Sequence, residues 1–152
     1  MRSVFYHLMG TPQAYKDLQA EVDEAFTTGT FSSPPKYAEA SKLPVLCATI
    51  KEATRLHPSV GLTMPRHAPA GGLEIDGTYI PAGYRIGINA AVLGYNEDIY
   101  GSDAAEFRPL RWLEDGSRLD RYNLVFGTGT RTCIGKNVSA SRATPRFVKA
   151  HC

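Results

Sequence analysis

Cysteine is scarce in this chain. Cys47, Cys133 and Cys152 are odd in number and far apart, which excludes a disulfide framework and paired zinc knuckles and favours a reducing, intracellular compartment. No apolar run approaches the roughly 20 residues of a membrane span, and the N-terminal MRSVFYHLMG lacks the apolar core and cleavage site of a signal peptide. Excess charge is missing too. Seventeen Lys and Arg against fifteen Asp and Glu leave +2, without a block of either sign, so nothing points to a nucleic-acid arm or an acidic tail. There is no internal repeat and no low-complexity tract.

What is present is the composition of a packed protein, 43% hydrophobic and 21% charged over 152 residues, the size of one domain. In TPQAYKDLQAEVDEAF, Thr11 reads as an N-cap and Pro12 as the first helical residue, with Tyr15, Leu18, Val22 and Phe26 spaced to form the apolar face. The stretch TTGTFSSPPK reads as a loop. A second helix is predicted from Pro44 through VLCATIKEATRL, with Leu46, Ile50 and Ala53 on its apolar face, ending before Pro58. Glu52 and Arg55 lie three residues apart on it and share a face.

The texture then changes. LEI and TYI flank Asp76-Gly77, the dipeptide suited to a type I′ hairpin turn, and RIGIN alternates Ile86 and Ile88 as one more strand. Residues 96–135 show poor periodicity and recurrent Gly, Asp and Pro, a long irregular segment of the kind kept for function. A last helix is predicted from near Ile134, with Pro145 breaking or kinking it within a few turns.

Cys133 is the residue most suited to chemistry. It follows Gly127 and Gly129, precedes Gly135, and stands ahead of a predicted helix whose free N–H groups favour an anionic sulfur, with Arg131 adding positive charge. Such a sulfur suits iron or nucleophilic attack. A lone cysteine is by default a packed structural residue, and Cys47 and Cys152 are read so.

The spacing Phe126, Gly129, Arg131, Cys133 and Gly135 matches F-x-x-G-x-R-x-C-x-G at every fixed position and resembles the haem-ligating loop of cytochrome P-450 enzymes. KEATRLHP is similar to that family's E-x-x-R helix motif. FRPLRW, with Phe107, Pro109, Arg111 and Trp112, is similar to the segment whose arginine joins the pair, and the three motifs occur in the family's order.

The resemblance implies a mainly α fold with a small antiparallel β region, the C-terminal and incomplete portion of the cytochrome P-450 fold. It divides residues 1–152 into helices over 1–58, a small β region over 59–95, the segment with the cysteine loop over 96–135, and an atypical polar tail over 136–152. It implies haem (iron protoporphyrin) as cofactor, Cys133 as axial ligand of the iron, Arg131 and Arg66 toward the haem propionates, Phe126 packed near the sulfur, and Glu52, Arg55 and Arg111 as a structural cluster.

It further implies a monooxygenase acting on O2 and a small organic substrate with electrons from a reductase, and the motifs look most like fungal members of secondary metabolism. RSVFYHL resembles the end of the family's central helix. This leaves the oxygen-handling segment, the substrate loops and any membrane anchor outside the chain, and no catalytic residue is identified within it. The rival of another class is a truncated or frame-shifted remnant without turnover. A cysteine-nucleophile enzyme ranks third, because no histidine shares a motif with Cys133; His57 and His67 are read as structural.

Overall fold

Two prolines at helix starts set the layout of the first half. In the computed structural model, which describes residues 2–150, helix α1 spans Arg2–Gly10 and α2 spans Pro12–Thr27 with Pro12 in its first turn. After the loop and a single turn of helix, α3 (Tyr37–Ala40), α4 spans Pro44–Leu56 and stops at the C-cap His57, just ahead of Pro58. The buried face of α2 is Ala14, Leu18, Val22 and Ala25. The expected Tyr15 and Phe26 are exposed instead: the small alanines face the neighbouring helices, and the bulky rings lie at the stripe's edges, Phe26 against Phe31 of the loop.

Helix α4 is buried nearly all round, through Leu46, Ala48, Thr49, Glu52, Ala53, Arg55 and Leu56, and it packs against α1 and α2. Its N-cap residue, Leu43, has no side chain that could satisfy the first amides. A neighbour does that. Glu21 of α2 accepts the Val45 and Leu46 N–H groups, one on each carboxylate oxygen, both at 2.8 Å. Burial pushes the Glu21 carboxyl above its ordinary range, although the two amides pull the other way. Glu21→Ala is expected to cost about 1–2 kcal/mol, the usual loss of a cap, read as a lower urea midpoint, whereas a loss near zero would mean that water replaces the cap.

The β region is two separate pairs. Strand β1 (Arg66–His67) pairs antiparallel with β4 (Arg85–Ile86), and β2 (Leu73–Ile75) pairs with β3 (Thr78–Ile80) in the predicted hairpin. Its turn is the expected one, since Asp76 and Gly77 both have positive φ, 49° and 71°. The expected strand over RIGIN is shorter, only Arg85–Ile86, with a further bridge between Thr63 and Asn89.

The stretch 96–135 is less irregular than its sequence suggests. Following α5 (Ala90–Gly94), it holds α6 (Glu97–Tyr100), α7 (Arg111–Leu119) and single 3-10 turns at Asp120–Tyr122 and Gly129–Arg131. Asn89 and Asn96 cap α5 and α6 with their side-chain oxygens. Helix α7 eludes periodicity because Asp115 interrupts it with non-helical angles. Helix α8 (Lys136–Ala150) runs through Pro145 without the expected break and packs on α3, with Val148 buried in the core.

One core joins α1, α2, α3 and α4 with Val148; a second gathers Ala48, Tyr100, Ala104, Trp112 and Leu119. Helix α4 lies between them and contributes to both. No helix among the described residues is long and apolar enough to cross a membrane.

Candidate functional site: a buried carboxylate lock and a cysteine loop

Glu52 and Arg55 sit one helical turn apart on the face of α4 turned toward α5 and α7. Relative exposures of 0% for Glu52, 2% for Arg55 and 3% for Arg111 mean that every charge needs a partner. Each has one. Glu52 Oε1 accepts from Arg55 Nη2 at 2.7 Å, Arg111 Nε at 2.9 Å and the Arg108 backbone N–H at 3.0 Å. Its Oε2 accepts from Arg55 Nε at 2.9 Å and the Trp112 indole N–H at 2.8 Å.

The arginines direct their remaining donors to main-chain carbonyls and, for Arg111, to the Asp103 carboxylate as well. Arg55 bonds Gly94, Ala104 (2.6 Å) and Glu106 (3.1 Å), while Arg111 bonds Tyr100 (2.6 Å), Asp103 (2.9 Å) and the Asp103 carboxylate (3.0 Å). The Arg55 guanidinium also lies 4.7 Å from the centre of the Tyr100 ring. One carboxylate thereby ties α4 to α5, to the turn after α6 and to the start of α7. Gly94 is required by this closeness: a Cβ there would stand 2.6 Å from the Arg55 carbonyl.

Sequence reasoning groups Glu52, Arg55 and Arg111 but misses the rest of the shell. Trp112 lies inside the FRPLRW motif, yet only the fold turns its indole N–H onto Glu52. Asp103, Arg108 and the carbonyls come together through tertiary packing, which no local spacing encodes.

Burial alone would raise the Glu52 carboxyl, but the Arg55 hydrogen bonds and charge, the Arg108 amide and the Arg111 charge outweigh it and hold the group below its ordinary value. Asp103 is lowered as well, first by its hydrogen bond to Arg111. A carboxyl lowered in the folded state contributes stability that is present above its unfolded value and lost as pH falls through the folded one. Urea midpoints are therefore expected to fall steeply below about pH 4.3, the ordinary glutamate value. Glu21, raised by burial, works in the opposite sense, so a midpoint that holds steady down to pH 3 would show that the Glu52 contribution is minor.

The cysteine loop is built by glycine. Gly127 and Gly129 have φ of 67° and 66°, a region that only glycine enters at no steric cost, and the resulting bends let the Cys133 N–H reach back to the Phe126 carbonyl at 2.8 Å. Thr132 closes the intervening 3-10 turn with its N–H and its hydroxyl on the Gly129 carbonyl, at 3.1 and 2.8 Å. The Cys133 thiol is exposed and free of disulfide, three residues before α8. At Gly135 a Cβ would lie 3.7 Å from the sulfur, an ordinary contact. Ile134 is fully exposed at 102%, and Phe126 is half-buried.

Arg131 is exposed in the loop and Arg66 is exposed on β1, its guanidinium donating to the Pro65 carbonyl at 2.9 Å. Among the described residues neither pairs with a carboxylate, and no hydrogen bond joins Arg66 to the cysteine loop. Cys47 is half-buried, its thiol raised chiefly by burial and donating weakly to the Ser41 carbonyl at 3.5 Å, as expected of a packed structural cysteine. Cys152 lies outside the described residues. His67 contacts the Gly83 carbonyl at 3.3 Å. His57, which has no acid or cysteine neighbour in sequence, meets His7 of α1 at 3.0 Å.

A mainly helical framework locked by one carboxylate between two arginines, and ending in a glycine-bent loop that presents a thiol ahead of a helix, agrees with what the resemblance of the motifs to haem-thiolate enzymes implies. The comparison with known proteins narrows the class. This chain belongs to the cytochrome P450 family, whose family model matches residues 1–143. It is 52% identical over 143 residues to cytochrome P450 monooxygenase gsfF of Penicillium aethiopicum, covering 93% of this chain and 28% of that protein. It is 49% identical over 142 residues to cytochrome P450 monooxygenase ACRTS1 of Alternaria alternata (91% and 38%) and 40% identical over 153 residues to a pisatin demethylase of Fusarium vanettenii (98% and 29%). The chain thus spans between 28% and 38% of the length of these relatives.

Proposed function

We propose that this chain forms the iron-ligating part of a haem-thiolate monooxygenase that inserts one oxygen atom from O2 into a small organic molecule, with electrons from a reductase. Cys133 would hold the haem iron through its sulfur. Arg131 and Arg66 would pair with the haem propionates, and Phe126 would pack near the sulfur. Gly129 gives the loop its bend, and Gly135 completes the motif two residues after the sulfur. Bound haem supplies the oxygen-activating chemistry, and the thiolate donates electron density toward it.

The observation that carries this reading is the cysteine loop itself. Its donor set suits haem: a single exposed thiol, an adjacent and fully exposed Ile134 suited to an apolar macrocycle, and two arginines without carboxylate partners among the described residues. The residues 1–152 act as one partial unit in which the lock around Glu52 holds α4, α5 and α7 in place, while the loop and α8 carry the sulfur. Fungal relatives named as monooxygenases and as a demethylase support oxidation of an organic substrate, for which we propose a place in fungal secondary metabolism.

The test is co-expression with a second chain that supplies the remaining part of the domain, assayed with a reductase. Substrate-dependent oxygen use is expected, and it should vanish with Cys133→Ala. Equal oxygen use by both forms, or none by either, would make this chain a non-catalytic remnant.

A further inference from the structure

His7, in the last turn of α1, and His57, the C-cap of α4, bring Nε2 and Nδ1 to 3.0 Å from one another. Each ring is held in place: His7 stacks on Phe107 at 4.7 Å with the planes 8° apart, and the Tyr6 ring meets both imidazoles edge-on, at 5.3 and 6.2 Å. His57 is exposed and His7 half-buried, so water reaches the pair. We infer that this imidazole pair is a binding site for a divalent transition-metal ion of tetragonal or octahedral preference, of the Cu2+ or Ni2+ type.

The two nitrogens are now joined by a hydrogen bond, and their separation also suits one metal class. With metal–nitrogen bonds of about 2.1 Å, two nitrogens 3.0 Å apart subtend roughly 90° at the ion, the angle between cis positions of a square-planar or octahedral site. Tetrahedral Zn2+ would require about 3.4 Å with bonds of that length and fits less well.

Binding takes both rings in the neutral form. The ring that now donates moves its proton through water to its other nitrogen, and no net proton is released. Two charged groups of α4, Glu52 and Arg55, act on His7 from the buried side. Among the described residues no group of three or more His, Cys, Asp or Glu side chains is placed to hold a metal, so the remaining coordination positions go to water. A seated ion would pin the end of α1 to α4 two residues beyond Arg55.

The test is calorimetric titration of the whole chain with Ni2+ alone, at about pH 7.5. One ion per chain is expected, with affinity weakened about tenfold or more by His57→Gln and by His7→Gln, and unchanged by His67→Gln. His57→Gln alters an exposed ring and keeps the fold, which circular dichroism checks. Unchanged Ni2+ affinity in His57→Gln, or an equal loss in His67→Gln, would overturn the assignment.

Discussion

Arg55→Ala is expected to destabilise the chain by about 3–5 kcal/mol, the cost of breaking a buried ion pair by removing one partner. The substitution strips Glu52 of two hydrogen bonds in a fully buried site and leaves the carbonyls of Gly94, Ala104 and Glu106 without this donor. Lysine should not rescue it, because one ammonium cannot reproduce a planar fork that reaches two carboxylate oxygens and three carbonyls. Against a total of about 5–15 kcal/mol for a domain, the loss is large enough to empty much of the folded population.

The exposed pairs give the contrast. Lys51–Asp120 and Arg108–Glu114 are close, at 2.8 and 2.7 Å, but solvated, and each contributes about 0–1 kcal/mol. Equilibrium unfolding of Arg55→Ala beside Lys51→Ala measures the difference directly. If the two cost the same, the lock does not hold the fold.

Cys133→Ala is expected to do the reverse, leaving stability within about 0.5 kcal/mol while abolishing thiolate ligation of haem iron. Its thiol is exposed, and its structural contribution is the backbone N–H bonded to Phe126, which alanine retains. The sulfur alone is lost. Matched urea curves with a changed haem spectrum would separate the two functions of the loop, bend and ligand. A variant that unfolds would instead make the thiol part of the fold and leave its assignment to iron unsupported.

These two outcomes mirror what the amino-acid order made legible. Helices α2 and α4 were readable because proline starts and apolar spacing are local, and the hairpin because Asp76-Gly77 dictates its own turn. Helix α7 was hidden by its non-helical Asp115, and the exchange of Tyr15 and Phe26 for Ala14 and Ala25 depended on how closely the neighbouring helices approach. Pro145 was expected to break or kink α8; the helix continues through it without a break, and Val148 is fully packed beyond.

At the site, spacing grouped Glu52, Arg55 and Arg111, whereas the Trp112 indole, the Asp103 carboxylate and the carbonyl acceptors emerged only with tertiary packing. The His7–His57 pair spans fifty positions of sequence, too far apart for any motif to join.

The central claim is that Cys133 ligates haem iron, and the carbon monoxide difference spectrum of the reduced, haem-supplemented chain tests it most directly, beside Cys133→Ala. The account predicts the strongly red-shifted Soret band of a thiolate-ligated carbonyl haem in the native chain and its loss in the variant. Absence of that band from the native chain, or its persistence in Cys133→Ala, would contradict it.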